Sequence, residues 1–165
     1  MAEMIYHWLS QNYIEVLGAI TGLIYLYFSV NKIIWLWPFG IITSILYTWV
    51  FFESRLFADM SLQVYYFFIS IYGWYYWLKG NGKGKSDDNG GGKHEIPVRR
   101  IKQPVLFISL LIIVFLTMAS GYFLKAYANS SLPYWDAFTT SASVVATWML
   151  ARKLIENWLF WIVID

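Results

Sequence analysis

The chain has 165 residues, of which 59% are apolar and only 13% are charged. Soluble domains have about 45–50% apolar and about 25% charged residues, so this composition argues against a soluble globular fold. The absence of Cys excludes a disulfide framework, and the two His, His7 and His94, lie too far apart in the sequence to suggest a metal centre. We therefore expect no cofactor and no nucleic-acid partner.

Residues 1–12 form a short mixed segment, which we interpret as an interfacial N-terminus. Five long apolar runs and the start of a sixth follow it: Ile14–Val30, Ile33–Phe52, Leu56–Leu78, Pro104–Leu124, Tyr134–Ala151 and Asn157–Asp165. A helix needs about 20 apolar residues to cross the hydrocarbon core, and the runs lack the strict alternation of strands. The sequence therefore predicts an all-α membrane protein, with Pro38 and Gly40 marking a kink in the second helix.

The segment Lys79–Lys102 is rich in Gly, Lys and Asp, and we interpret it as a flexible, solvated linker. If this linker is cytoplasmic, ten of the 12 Lys and Arg residues lie on the cytoplasmic side, and only Arg55 and Lys125 lie outside. Basic residues favour the cytoplasmic loops of membrane proteins. We therefore expect a multi-pass protein of the inner (plasma) membrane, with a cytoplasmic linker and an external N-terminus.

An internal repeat relates the two ends of the chain. Tyr13–Ser44 aligns without gaps with Tyr134–Asp165, so that Lys32 meets Lys153 and Trp37 meets Trp158. Because the offset spans four helices, an even number, the two copies insert in the same direction. The predicted plan is 3+1+3 with two parallel three-helix repeats: a first repeat over 13–78, a connecting transmembrane helix over 103–125, and a second repeat over 134–165 that is truncated within helix six.

Three side chains at the end of the chain form the main candidate site. Trp158, Trp161 and Asp165 are spaced i, i+3 and i+7, which places them on one face of a helix. Two indole rings and a carboxylate suit a flat, cationic aromatic solute, because the rings attract its charge and the carboxylate balances it. The alternative is an aromatic belt at the membrane surface with Asp165 at its edge.

Other polar and aromatic residues extend this candidate site. Gln63 and Tyr66 share a face of the third helix, and Thr140 lies on the fifth; each could bind solute or pack two helices together. Trp74 and Trp77, near the linker, are either gate residues or interfacial anchors. No pair of nucleophile and base is apparent, so we do not expect an enzyme.

Three segments carry a family resemblance: LeuPheAlaAspMetSerLeuGln at 56–63, IleTyrGlyTrpTyrTyrTrp at 71–77 and ArgLysLeuIleGluAsnTrpLeuPheTrp at 152–161. They resemble the PnuC family of vitamin transporters. That resemblance implies the 3+1+3 plan and facilitated uptake of nicotinamide riboside, which a cytoplasmic kinase traps by phosphorylation. It also implies a substrate-binding Trp-x-x-Trp motif, which falls on Trp158 and Trp161.

One departure from the family keeps the substrate open. The nicotinamide riboside members of the family resemble this pattern but tend to carry Asn where Asp165 stands. Thiamine or another cationic vitamin is therefore the alternative solute. A non-transport helical membrane subunit is the alternative of another class, although it does not explain the repeat. Besides the solute, we expect the lipid bilayer as a partner, and self-association into a homo-oligomer stays open.

Overall fold

The computed structural model describes Glu3, His7 and residues 12–80, 97–127 and 132–165. Its helices are α1 (Tyr13–Val30), α2 (Leu36–Glu53), α3 (Phe57–Gly80), α4 (Gln103–Tyr127), α5 (Pro133–Ala151) and α6 (Asn157–Ile164). The predicted all-α fold is therefore confirmed. The predicted interfacial segment 1–12 and the middle of the linker lie largely outside the described residues.

Three of the described helices are long and apolar enough to cross a membrane: α1, α2 and residues Gln103–Ala126 of α4. The helices α3 and α5 have 24 and 19 residues and are thus also long enough, but they are less apolar. Polar groups on helices of this length usually face a cavity or a partner rather than lipid. The polar groups of these two less apolar helices are therefore expected to face a cavity or a neighbouring helix.

Large apolar side chains on several helices are exposed. Leu23 of α1, Phe115 of α4 and Ile162 of α6 are 67%, 71% and 75% exposed. Soluble monomers rarely expose contiguous apolar patches of large size, whereas lipid tails accommodate them. This surface agrees with the membrane protein that the composition predicts.

The chain divides into two compact units, Met1–Lys79 and Gly80–Asp165. In the first unit, α1, α2 and α3 meet at Gly40, which is buried. A Cβ atom built on Gly40 would lie 2.9 Å from Ser70 Oγ and 3.1 Å from the ring of Tyr25. Glycine at this position therefore allows the three helices to approach closely.

A second close approach joins α2 and α3 through Trp37. The Trp37 side chain is fully buried, and a Cβ atom built on Gly73 would lie only 2.3 Å from its ring. Trp37 also packs edge-on against Trp77, with ring centroids 5.4 Å apart. Among the described residues, Trp37 is the largest side chain that is fully buried.

The second unit is organised around α5, whose buried residues are mostly small. They include Ala137, Ser141, Ala142, Ser143, Ala146 and Thr147. Small side chains let neighbouring helices approach closely, and Thr147 Oγ1 donates to the Ser143 carbonyl within the helix over 2.8 Å. A core of Ala142, Val145 and Met149 contacts Ile113 of α4 and Phe160 of α6.

The helices α1 and α5 end in the same left-handed turn. Lys32 has a φ of 55° and Lys153 a φ of 54°. In each turn, the amide after the lysine donates to the carbonyl five residues earlier, over 2.9 Å after α1 and 3.0 Å after α5. This hydrogen-bond pattern is the Schellman motif. Arg55 at the end of α2 has a φ of 59°, and the Leu56 N–H donates to the Phe51 carbonyl over 2.9 Å. The turn is therefore shared by three helix ends and is not specific to the two positions that the sequence repeat aligns.

The second helix begins later than the sequence suggests, at Leu36 rather than Ile33. Pro38 therefore lies in its first turn, where the missing N–H of proline costs no helical hydrogen bond. Pro38 therefore gives no reason for a bend in the middle of the helix, and the kink at Pro38 and Gly40 stays a prediction. Gly40 instead serves the close packing of three helices.

Candidate functional site

The helix α6 presents three different surfaces around its axis. Phe160 and Ile164 pack against the core of the second unit, while Leu159, Ile162 and Val163 are exposed. Each residue of an α-helix turns the chain by about 100°, so the remaining flank carries Trp158, Trp161 and Asp165. We call these three residues the α6 flank.

The α6 flank lies between the buried and the exposed surface of the helix. Trp158 and Trp161 are half-buried, and Asp165 is exposed. The helical hydrogen bond from Asp165 N–H to the Trp161 carbonyl is 2.9 Å long, so the helical spacing extends to the end of the described chain. This geometry agrees with the prediction that the three side chains share one face of the helix.

The chemistry of the α6 flank suits a planar cation. Half-buried indole rings offer π-faces that attract a positive charge, and partial exclusion of water strengthens that attraction. The carboxylate of Asp165 supplies the opposite charge at the exposed end of the flank. A solute with a charged aromatic ring could therefore contact both groups at once.

Asn157 was not among the predicted site residues, yet it lies beside the flank. Its side chain is 2% exposed, and its amide nitrogen Nδ2 has no hydrogen-bond partner among the described residues. A buried donor without an acceptor costs free energy. In the sequence, only its position in the GluAsnTrp motif could have marked Asn157 as a site residue. Its burial depends on the tertiary structure and could not be read from the sequence.

Thr140 lies on α5, in the same unit as the α6 flank, and is half-buried. It shares a helix face with Ser143 and Thr147, which are buried. The buried hydroxyls on this face favour packing of α5 against its neighbours. A solute contact for Thr140 stays a prediction.

The candidate residues of α3 belong to the first unit. Gln63, Tyr66 and Trp77 share one face of this helix by their spacing, and Gln63 and Tyr66 are half-buried. Trp77 is 4% exposed and packs against Trp37, whereas Trp74 is 38% exposed. The buried packing gives Trp77 a structural contact, and the gate role of both residues stays a prediction.

Tyr25 of α1 is a further polar residue that the sequence did not single out. Its ring lies next to Gly40, where Ser70 of α3 also lies. Tyr25 is one of several aromatic residues in an apolar run, so the sequence pattern did not mark it as a candidate site residue. The fold brings it near Ser70, which shares a face of α3 with the predicted site residue Tyr66.

The sequence matches a known protein family. The sequence profile described as nicotinamide mononucleotide transporter matches residues 12–165. The chain belongs to this transporter family. The PnuC-type resemblance of the three sequence segments is thereby confirmed.

Curated relatives agree with this assignment. The nicotinamide riboside transporter PnuC of Escherichia coli is 28% identical over 178 residues, which cover 93% of this chain and 71% of the relative. The riboflavin/roseoflavin transporter RibM of Streptomyces davaonensis is 26% identical over 152 residues, which cover 92% of this chain and 68% of the relative. These relatives are transporters and not enzymes, as predicted for this chain.

A solved structure confirms the fold. The crystal structure of the vitamin B3 transporter PnuC matches with a TM-score of 0.75 at 22% sequence identity, over 98% of this chain and 67% of that chain. At this level of identity the match shows that the two proteins share a fold, and it does not identify a solute.

Proposed function

We propose that the protein transports nicotinamide riboside across the membrane by facilitated diffusion and binds its charged ring on the α6 flank. The observation that carries this proposal is the half-buried pair Trp158 and Trp161 beside Asp165, in a family whose profile describes nicotinamide mononucleotide transporters. The curated PnuC relatives carry the name of nicotinamide riboside transporters, which supports the same solute.

The physical basis of binding is the fixed positive charge of the nicotinamide ring. The indole faces of Trp158 and Trp161 attract this charge and also contact the apolar ring area. Asp165 balances the charge, so that the solute keeps an electrostatic partner when it leaves water. Gln63, Tyr66 and Thr140 are proposed as further contacts to the polar ribose, and Trp74 and Trp77 as gate residues.

Net uptake by facilitated diffusion needs a reaction that removes the solute inside the cell. We propose that a cytoplasmic kinase phosphorylates the riboside. A phosphate monoester adds about −1.5 to −2 charges near neutral pH. The carboxylate of Asp165 repels this added charge, and the bilayer opposes its passage. The phosphorylated product would therefore stay inside without coupling to an ion gradient.

The proposed orientation places the protein in the inner (plasma) membrane, with the linker 79–102 cytoplasmic and the N-terminus outside. The asymmetric distribution of basic residues supports it. The 3+1+3 plan with two parallel repeats is part of the proposal. The gapless alignment of Tyr13–Ser44 with Tyr134–Asp165 supports the repeat.

A flavin is the second candidate solute, because the relative RibM is named a riboflavin/roseoflavin transporter. Riboflavin has a large aromatic ring system but no fixed positive charge, so it could stack on Trp158 and Trp161 without using Asp165. Thiamine, like nicotinamide riboside, carries a fixed charge. The role of the Asp165 charge therefore separates riboflavin from the two cationic vitamins.

Binding to the purified protein in detergent, measured by titration calorimetry, tests the proposal. We expect Trp161→Ala to weaken nicotinamide riboside binding about tenfold or more, since a desolvated cation–π contact contributes about 2 kcal/mol and 1.4 kcal/mol corresponds to a factor of ten. Leu159→Ala, on the exposed surface of the same helix, is the matched control and should bind as the wild type does. Equal affinity in Trp161→Ala and the wild type would reject the α6 flank as the binding site.

A further inference from the structure

Residues 97–102, which we call the strap, contact the turn between α5 and α6. Arg99 forms an isolated parallel β-bridge with Leu154 of that turn. The Arg99 N–H donates to the Lys153 carbonyl over 3.0 Å, and the Arg99 carbonyl accepts from the Ile155 N–H over 3.1 Å. The strap is therefore bound to the turn by its backbone, although its sequence belongs to the predicted linker.

A side chain adds a third hydrogen bond to this contact. The Glu156 carboxylate oxygen Oε2 accepts from the Ile101 N–H over 2.9 Å. Hydrogen bonds to a charged group are about twice as strong as neutral ones, and Glu156 is half-buried. Because Glu156 directly precedes α6, this bond joins the strap to the start of the helix that carries the α6 flank.

The corresponding turn of the first unit has a different side chain at this position. The sequence repeat aligns Glu156 with Trp35, which is 59% exposed and has no carboxylate with which to accept a backbone hydrogen bond. The two turns share their Schellman hydrogen bonds but not the carboxylate contact. Glu156 thus distinguishes the turn before α6 from the otherwise similar turn before α2.

We propose that the strap is a positioning clamp and that Glu156 is the positioning residue that sets the place of Trp158 and Trp161 for solute binding. Trp158 lies two residues beyond Glu156, so a shift of the turn moves its indole ring directly. Recognition groups that move by about 1 Å lose much of their effect. This inference rests on the proposed function, because the affinity that it explains is that for nicotinamide riboside.

Substitution of Glu156 is the first test. Glu156→Ala leaves the Ile101 N–H without its charged acceptor, and we expect about tenfold weaker binding of nicotinamide riboside. Glu156→Gln keeps an acceptor oxygen in the same place, so it should stay within about threefold of the wild type. Glu53→Ala, which removes an exposed carboxylate at the end of α2, is the matched control and should leave the affinity unchanged.

A covalent tether separates positioning from a merely structural effect. Neighbouring strands lie about 4.8 Å apart, within the Cα separation of about 4.4–6.8 Å that a disulfide bridges. Arg99→Cys and Leu154→Cys can therefore form one disulfide in a chain that has no other Cys. In the Glu156→Ala background, oxidation should restore the affinity to near the wild-type value, and a reductant should remove that gain. A tether that forms without restoring affinity would overturn the proposal, as would unchanged affinity in Glu156→Ala.

Amide hydrogen exchange without solute distinguishes failure of the clamp from failure of the proposed function. Exchange reports local opening of the backbone. We expect Glu156→Ala to raise exchange at Ile101 and over residues 157–161 about tenfold. If the wild-type protein does not bind nicotinamide riboside but this rise occurs, the proposed solute is wrong and the clamp stands. If the wild type binds the riboside but Glu156→Ala changes neither exchange nor affinity, the clamp is wrong and the proposed function stands.

Discussion

At the scale of single residues, we propose that the charge of Asp165 favours cationic solutes on the α6 flank. Asp165→Asn removes the negative charge but keeps the shape and the hydrogen-bonding capacity of the side chain. Asp165 is exposed in the described structure, and charge pairs that are not buried contribute about 0–1 kcal/mol. We therefore expect a loss of about two- to fivefold in nicotinamide riboside affinity. Titration calorimetry of wild-type and variant protein measures this loss.

The reduced 1,4-dihydro form of the riboside is the matched control solute, because its ring has nearly the same shape but no charge. Its affinity should be the same for the wild type and for Asp165→Asn. Equal losses for both solutes would show that Asp165 acts by hydrogen bonding or structure. A neutral flavin solute would then be the better candidate.

Two tryptophans illustrate what the sequence can and cannot predict at this scale. Trp37 and Trp158 occupy aligned positions of the repeat, yet Trp37 is fully buried and Trp158 is half-buried. The difference arises from neighbouring helices, since Gly73 and Trp77 of α3 close around Trp37. Helical spacing predicted which side chains share a face, but not what covers that face.

At the scale of secondary-structure elements, apolar run length predicted the helices well and their connections less well. The predicted first helix, Ile14–Val30, differs by one residue from α1. The predicted start of the second helix at Ile33 was wrong, because the left-handed residue Lys32 turns the chain and places Ile33 within the connection to α2. A hydrophobicity pattern does not distinguish apolar residues in a tight turn from apolar residues in a helix.

The strap shows the same limit in a polar segment. Residues 97–102 include Arg99, Arg100 and Lys102 and were grouped with the linker by composition. The structure pairs Arg99 with the turn before α6 through backbone atoms. Any residue except proline offers those atoms, so composition carries no signal for the pairing. Only the carboxylate of Glu156 marks this contact in the sequence.

The packing of α2 against α3 gives a prediction for the stability of the first unit. In Gly73→Ala the new methyl group would lie 2.3 Å from the ring of Trp37, which is fully buried. Overpacking of this kind costs about 1–3 kcal/mol. We therefore expect a lower midpoint of thermal unfolding in detergent, monitored by tryptophan fluorescence.

Gly22→Ala is the matched control, because a Cβ atom there would meet only the Thr43 methyl group at 3.7 Å. Alanine is favoured over glycine inside a helix by about 1 kcal/mol, so this variant should unfold at the same temperature or a higher one. An unchanged or raised unfolding temperature in Gly73→Ala would show that α2 and α3 do not pack as described.

At the scale of the whole molecule, the distribution of basic residues predicts the orientation in the membrane. The chain has no Cys, so single introduced thiols report their own side of the membrane. In intact cells, Gly91→Cys in the linker should resist an impermeant thiol reagent, while Lys125→Cys at the opposite end of α4 should react. Gly91 lies outside the described residues, so this prediction rests on the sequence. The reverse labelling pattern would invert the topology.

The proposed parallel repeats and the proposed mechanism of transport also belong to the scale of the whole molecule. The sequence predicted the family from three short segments, the all-α fold from apolar run length and the candidate flank from helical spacing. Whether Gln63 and Tyr66 of the first unit act with Trp161 of the second depends on tertiary arrangement, which helical periodicity does not determine.

The most direct test of the account is counterflow in proteoliposomes. Vesicles that contain the purified protein and a high concentration of unlabelled nicotinamide riboside are diluted into trace labelled riboside, without ATP or an ion gradient. Facilitated diffusion predicts transient accumulation of label in these vesicles, and strongly reduced accumulation with Trp161→Ala. No accumulation by the wild-type protein, in vesicles where its insertion is verified, would contradict the proposed transport of nicotinamide riboside.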